Sequence, residues 1–147
     1  MKKGRTHSGA FFIAKEELEC IQELGLVQEI LSLKMLVQDV KSSLNTTPAV
    51  DYGDFCDSIV ALALGICDIS DTSKICIPAA WQTKAKKKIL AIHYPDNIRN
   101  KVIEYLTGKN YNVSTYLGKP IVKLGHLFIM IERATNYRPI NEILLQP

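Results

Sequence analysis

The chain has 147 residues, is 47% hydrophobic and 22% charged, and carries a formal net charge of +3. That length and balance give one globular unit or two small lobes sharing a core, and exclude a disordered chain. No run of eighteen apolar residues occurs, and the apolar patch from Ala10 to Ala14 behind a basic head is too short for a secretory signal. The expectation is a cytoplasmic protein with no membrane partner.

From Lys15 to Asn45 apolar residues recur three and four apart: Cys20, Leu24, Val27 and Leu31, then Leu33, Val37, Val40 and Leu44. This is helical spacing, interrupted at Gly25, so it predicts a helix over 15–24, a bend, and a second helix over 26–44. Glu16, Glu17 and Glu19 fall where a first turn would complement the helix dipole. The stretch "NTTPAVDYGD" (45–54) reads as a loop, with Pro48 and Gly53 among its turn formers.

"DFCDSIVALALG" (54–65) follows. Asp54 is placed to cap a helix and Asp57 to lie in its first turn. Ile59, Val60, Leu62, Leu64 and Ile66 surround that cylinder on every side, which predicts a buried central helix. The paired aspartates and the Ala/Leu run also resemble the last helix of RuvC-like nucleases and phage terminases. That resemblance implies a metal-binding carboxylate. Two-metal cleavage needs three or four convergent carboxylates. Residues 1–15 hold no acid, and none occurs between Asp71 and Asp96, so the aspartates read as helix cap and dipole complement.

After Lys74 the texture changes. "ILAIHY" (89–94) predicts a short strand, and Asp96 a cap for a helix running to Gly108 with Ile98, Val102, Ile103 and Leu106 on one face. "YNVSTYLGKPIVKLG" (111–125) predicts a hairpin turning at Gly118–Pro120, and 126–136 a last apolar helix. The fold class expected is α+β, mainly α. A helical bundle lobe covers residues 1–72, and a smaller mixed, basic lobe with a β-hairpin and helices covers 73–147.

Catalytic constellations are missing. Cys20, Cys56, Cys67 and Cys76 form no CxxC pair and lie far from His7, His93 and His126, so they read as small hydrophobes rather than metal ligands. There is no GxSxG, HExxH or P-loop. No catalytic residue, metal or cofactor is expected, and the protein reads as non-enzymatic.

Charge is divided instead. Residues 1–78 hold seven Lys/Arg against eleven Asp/Glu, and residues 79–147 hold eleven against four, a balance of −4 then +7. A basic half suits a polyanion. Lys84, Lys86, Lys87 and Lys88 form a dense cationic run, and Lys109, Lys119 and Lys123 flank or enter the hairpin with Tyr111 and Tyr116. Cations that release phosphate counterions, together with rings on which bases stack, predict binding of RNA or single-stranded DNA through these nine residues.

In its organisation, a helical lobe joined to a smaller strand-containing basic lobe at this length, the chain resembles the archaeal small subunit of type I-A CRISPR effector (Cascade-like) complexes. The resemblance implies a role in antiviral defence, as a non-enzymatic subunit that packs beside a backbone protein and helps hold crRNA or the target strand. It carries no family residue onto this sequence. Other readings stand beside it. One is an oligomerisation or protein-docking module of a viral or plasmid protein, in which the divided charge drives self-association. Another is a winged-helix DNA-binding regulator with 111–124 as its wing. The metal-dependent nuclease comes last.

Overall fold

Gly25 ends the first helix. Its φ of +71° is a left-handed conformation natural to glycine. The Leu26 and Gly25 N–H groups donate back to the carbonyls of Ile21 and Gln22, both at 3.0 Å. This closes a Schellman turn, with Leu26 and Ile21 both buried. The computed structural model describes residues 2–82 and 88–135, with side chains from Phe12 onward. Helix α1 is Lys2–Glu23 and α2 is Val27–Leu44. The break expected at Gly25 is present, but α1 starts far upstream of residue 15. Glu16, Glu17 and Glu19 therefore lie mid-helix, away from the N-terminal dipole.

The long central helix expected from 54 is corrected. The segment forms a loop and then a short helix, α3, Ile59–Ala63. Its N-cap is Ser58, whose Oγ accepts the Ala61 N–H at 2.9 Å. Gly65, at φ +74°, follows close behind and stops it. Two 3₁₀ turns, Thr72–Lys74 and Ala79–Gln82, lead onward.

The fold-class expectation is also corrected. The C-terminal part is built on a four-stranded mixed sheet, not on one hairpin among helices. Strand β1 is Lys88–Pro95, helix α4 is Arg99–Gly108, and strands β2, β3 and β4 are Val113–Tyr116, Lys119–Leu124 and Leu127–Ala134. The order is β1-β4-β3-β2, with β1 parallel to β4 and the other pairs antiparallel. Residues 127–134, expected as helix, form this interior strand. Leu127, Ile129 and Ile131 alternate toward the core while Phe128 and Met130 fill the other face. The predicted hairpin is β2–β3, turning at Leu117–Gly118, where φ values of 51° and 80° make the two-residue turn that suits strand twist. Asp96 does not cap α4, whose N-cap is Ile98; it pairs with Arg133 at 3.5 Å.

One cluster of buried side chains joins α2 (Leu33, Leu36, Val40), the loop residue Phe55, Trp81, α4 (Val102, Leu106) and one face of the sheet (Leu90, Ile92, Val122, Ile129, Ile131). Hydrogen bonds tie α2 to the α4–β2 region: Ser43 Oγ donates to Tyr105 Oη at 2.9 Å, and Tyr111 Oη to Asp39 at 2.7 Å. Among the described residues no helix is long and apolar enough to cross a membrane.

Candidate nucleic-acid interface

The packing leaves the two faces of the sheet different. Helices α2 and α4 cover the face that carries Leu90, Val122 and Ile129. Strand alternation sends the intervening residues the other way: Ser114 and Tyr116 on β2; Lys119, Ile121 and Lys123 on β3; Phe128, Met130 and Glu132 on β4; Ala91 and His93 on β1. Ile121 is buried yet lies outside the main cluster, as expected of a residue on the second face.

Three of the sequence-predicted residues meet on this second face. Tyr116 and Lys119 are cross-strand partners beside the hairpin turn, and Lys123 points the same way four residues along β3. Tyr116 is 45% exposed. Lys119 pairs with Glu132 at 2.9 Å in an exposed bridge, while the Lys123 side chain makes no ion pair among the described residues. An exposed bridge of this kind is weak and exchanges readily for a phosphate.

The other predicted residues are placed differently. Lys88 is buried at the start of β1, and desolvation lowers its ammonium pKa. Lys109 is exposed at the end of α4, with Nζ 5.8 Å from the centroid of the Tyr105 ring. Tyr111 is half-buried on its bond to Asp39; burial first, then the acceptor carboxylate, raises its phenol pKa. Lys84, Lys86 and Lys87 lie outside the described residues.

No protein-family model matches the chain, and no curated protein matches it significantly. The reading of the site therefore rests on its own chemistry.

Residues that the sequence reading linked to other chemistry have structural partners. Asp54 bonds to Ala91 of β1, and Asp57 accepts the Cys76 thiol at 3.2 Å. Among the described residues no group of three or more His, Cys, Asp or Glu is arranged to hold a metal ion. All four cysteines are free. Burial pushes the Cys67 thiol up to about 12, and the Asp57 carboxylate raises that of Cys76, so both remain thiols at neutral pH.

Sequence reasoning missed Glu17 as an organising group. Glu17 is fully buried and accepts three hydrogen bonds, from Ser58 Oγ at 2.5 Å, Trp81 Nε1 at 2.8 Å and the Val60 N–H at 3.2 Å. It is the one acid of its cluster on the helix stripe that also holds Ile21, four residues on, and this spacing was the available clue. His93 lies on the second face against Tyr52, with ring centroids 5.4 Å apart, and burial lowers its pKa.

Proposed function

We propose that this protein binds single-stranded RNA or DNA on the second face of its sheet, as a non-enzymatic subunit of a larger nucleoprotein complex inside the cell. The observation that carries the reading is the grouping of Tyr116, Lys119 and Lys123 on the face opposite α2 and α4. A base stacks on an exposed tyrosine whatever its sequence, and two lysines along one strand can follow a phosphate backbone. The charge division supports the same reading, since the sheet lies in the basic half. In the form implied by the resemblance to CRISPR small subunits, the strand is crRNA or the displaced target. Recovery of such a complex with the native protein tests that form.

The direct test is fluorescence anisotropy with labelled RNA and DNA single strands of about 15 nucleotides, across a salt series. Tyr116→Ala is expected to lower affinity by the roughly 1–3 kcal/mol of one stacked base. Lys123→Glu is expected to lower it further and to flatten the log–log salt slope by about 0.7 for each phosphate that the lysine neutralises. Absence of binding to either strand at low salt ends this reading.

A further inference from the structure

We propose that the paired guanidiniums of Arg99 and Arg133, at the carboxyl ends of the parallel strands β1 and β4, bind a phosphate group. The two strands end side by side at Pro95 and Ala134. Tyr94 and Arg133 are register partners and share a face of the sheet, the one on which Tyr94 is fully buried in the core. From there Arg133 reaches the first turn of α4. Its Nη2 donates to Asn100 Oδ1 at 3.3 Å, and Arg99 Nη1 donates to the same oxygen at 2.9 Å. Two cations are thus gathered on one neutral acceptor.

Little in the fold balances this pair. Arg99 is half-buried, makes no ion pair among the described residues, and its Nε is buried without an acceptor. Burial first, then the neighbouring Arg133, lowers its pKa; Glu132 and Asp96 work against that lowering. Glu132 is engaged by Lys119 at 2.9 Å. Asp96 lies 3.5 Å from Arg133, but both side chains are about half exposed, and a bridge of that kind yields readily to a competing anion.

The ligand class follows from this arrangement. A phosphate presents oxygens on several sides, so a single group can take both guanidiniums, whereas a carboxylate offers one edge. The start of α4 adds donors beside them. Its N-cap, Ile98, makes no side-chain bond, and the Val102 N–H donates to the Ile98 carbonyl at 3.1 Å as the first bond of the helix. The N–H groups of Arg99, Asn100 and Lys101 therefore precede the ladder, at the positive end of the helix dipole. The carboxyl end of a parallel strand running into a helix is also where open α/β units hold anions.

Isothermal titration calorimetry with inorganic phosphate, at constant ionic strength, tests the proposal. The expected result is saturable binding in the millimolar range or tighter, at one site per chain. Arg99→Gln and Arg133→Gln are each expected to weaken it about tenfold, the worth of one charge-assisted hydrogen bond. The more exposed Arg133 carries the test should Arg99→Gln fail to fold. Lys101→Gln, outside the pair, is expected to leave affinity unchanged. Competition by single strands with and without a terminal phosphate identifies the source of the group. Stronger competition by the phosphorylated strand assigns the site to a strand end, equal competition to backbone phosphates, and none to a free phosphate compound. The probe is a free ion, so the result stands apart from strand binding on the second face of the sheet. Absence of saturable phosphate binding overturns the proposal. So does binding that survives both arginine substitutions, or that falls as far in Lys101→Gln.

Discussion

Asp54 bonds to Ala91 twice. Its N–H donates to the Ala91 carbonyl at 3.1 Å, and its carboxylate accepts the Ala91 N–H at 2.6 Å. With the Ala49 N–H donating to the His93 carbonyl at 2.7 Å, the 49–54 loop satisfies the outer edge of β1 where a fifth strand would otherwise pair. Gly53 makes this approach feasible: its φ is +83°, and a Cβ there would lie 2.5 Å from the Ala91 carbonyl oxygen. An edge strand covered in this way is protected from pairing with other chains.

Replacing Asp54 by Ala removes the acceptor for the Ala91 N–H. The expected loss is about 1 kcal/mol, the net worth of one such bond. Asn should retain part of it, since its amide oxygen still accepts. Urea denaturation of the two variants checks this order. A full-strength Asp54→Ala protein would show that water serves Ala91 equally well.

Glu17 draws α1, α3 and the turn that holds Trp81 onto one carboxylate. Glu17→Ala strands a hydroxyl, a backbone N–H and an indole N–H in the core, each costing about 1–3 kcal/mol when unmade. It is expected to be the most damaging single change in the helical part. Glu17→Gln keeps acceptors on one oxygen only and should lie between. Trp81 is the only tryptophan, so its fluorescence reports the site directly. A red-shifted emission in the folded variant would mark water reaching the indole.

Stability should fall on mild acidification through His93. Desolvation by burial holds its folded pKa below the ordinary 6.5; Glu132 and Asp54 work against that lowering and Lys119 with it. Below 6.5 the unfolded chain binds the proton more readily than the folded one. The contribution is therefore complete above about pH 6.5 and is lost as pH falls through the folded value. Urea midpoints at neutral pH and about pH 5 measure the drop, which His93→Gln should diminish. An unchanged pH dependence in that variant would assign the effect to other groups.

Much of the fold could be read from local pattern. The breaks at Gly25 and Gly108, the helical stripe of α2, the strand at 89–94 and the hairpin near Gly118 all follow from spacing within one element. Strand β4 could not be read that way. Leu127, Ile129 and Ile131 alternate, but Phe128 and Met130 between them are apolar too, so the period-two signal vanishes and the run looks like a buried helix. Asp54 misled for a related reason. Its carboxylate fits a helix start, yet its partner is a strand thirty-seven residues away. The same non-locality separates Tyr116, legible as an exposed ring in a hairpin, from Tyr111, whose partner Asp39 is seventy-two residues upstream.

The strand order carries a consequence for the path by which the chain acquires its shape. β4 lies between β1 and β3, yet it is the last of the four to leave a ribosome. The β2–β3 hairpin can form as soon as it emerges. β1 has no neighbouring strand until residue 127 follows it, with α4 and the hairpin already made. During that interval Leu90 and Ile92 have only the helices to shelter them. Parallel pairing across such a gap is slow because its loop must close before any pairing rewards it. The late capture of β1 is thus the expected bottleneck of folding. A partially synthesised chain ending before β4 would be the species most prone to aggregate.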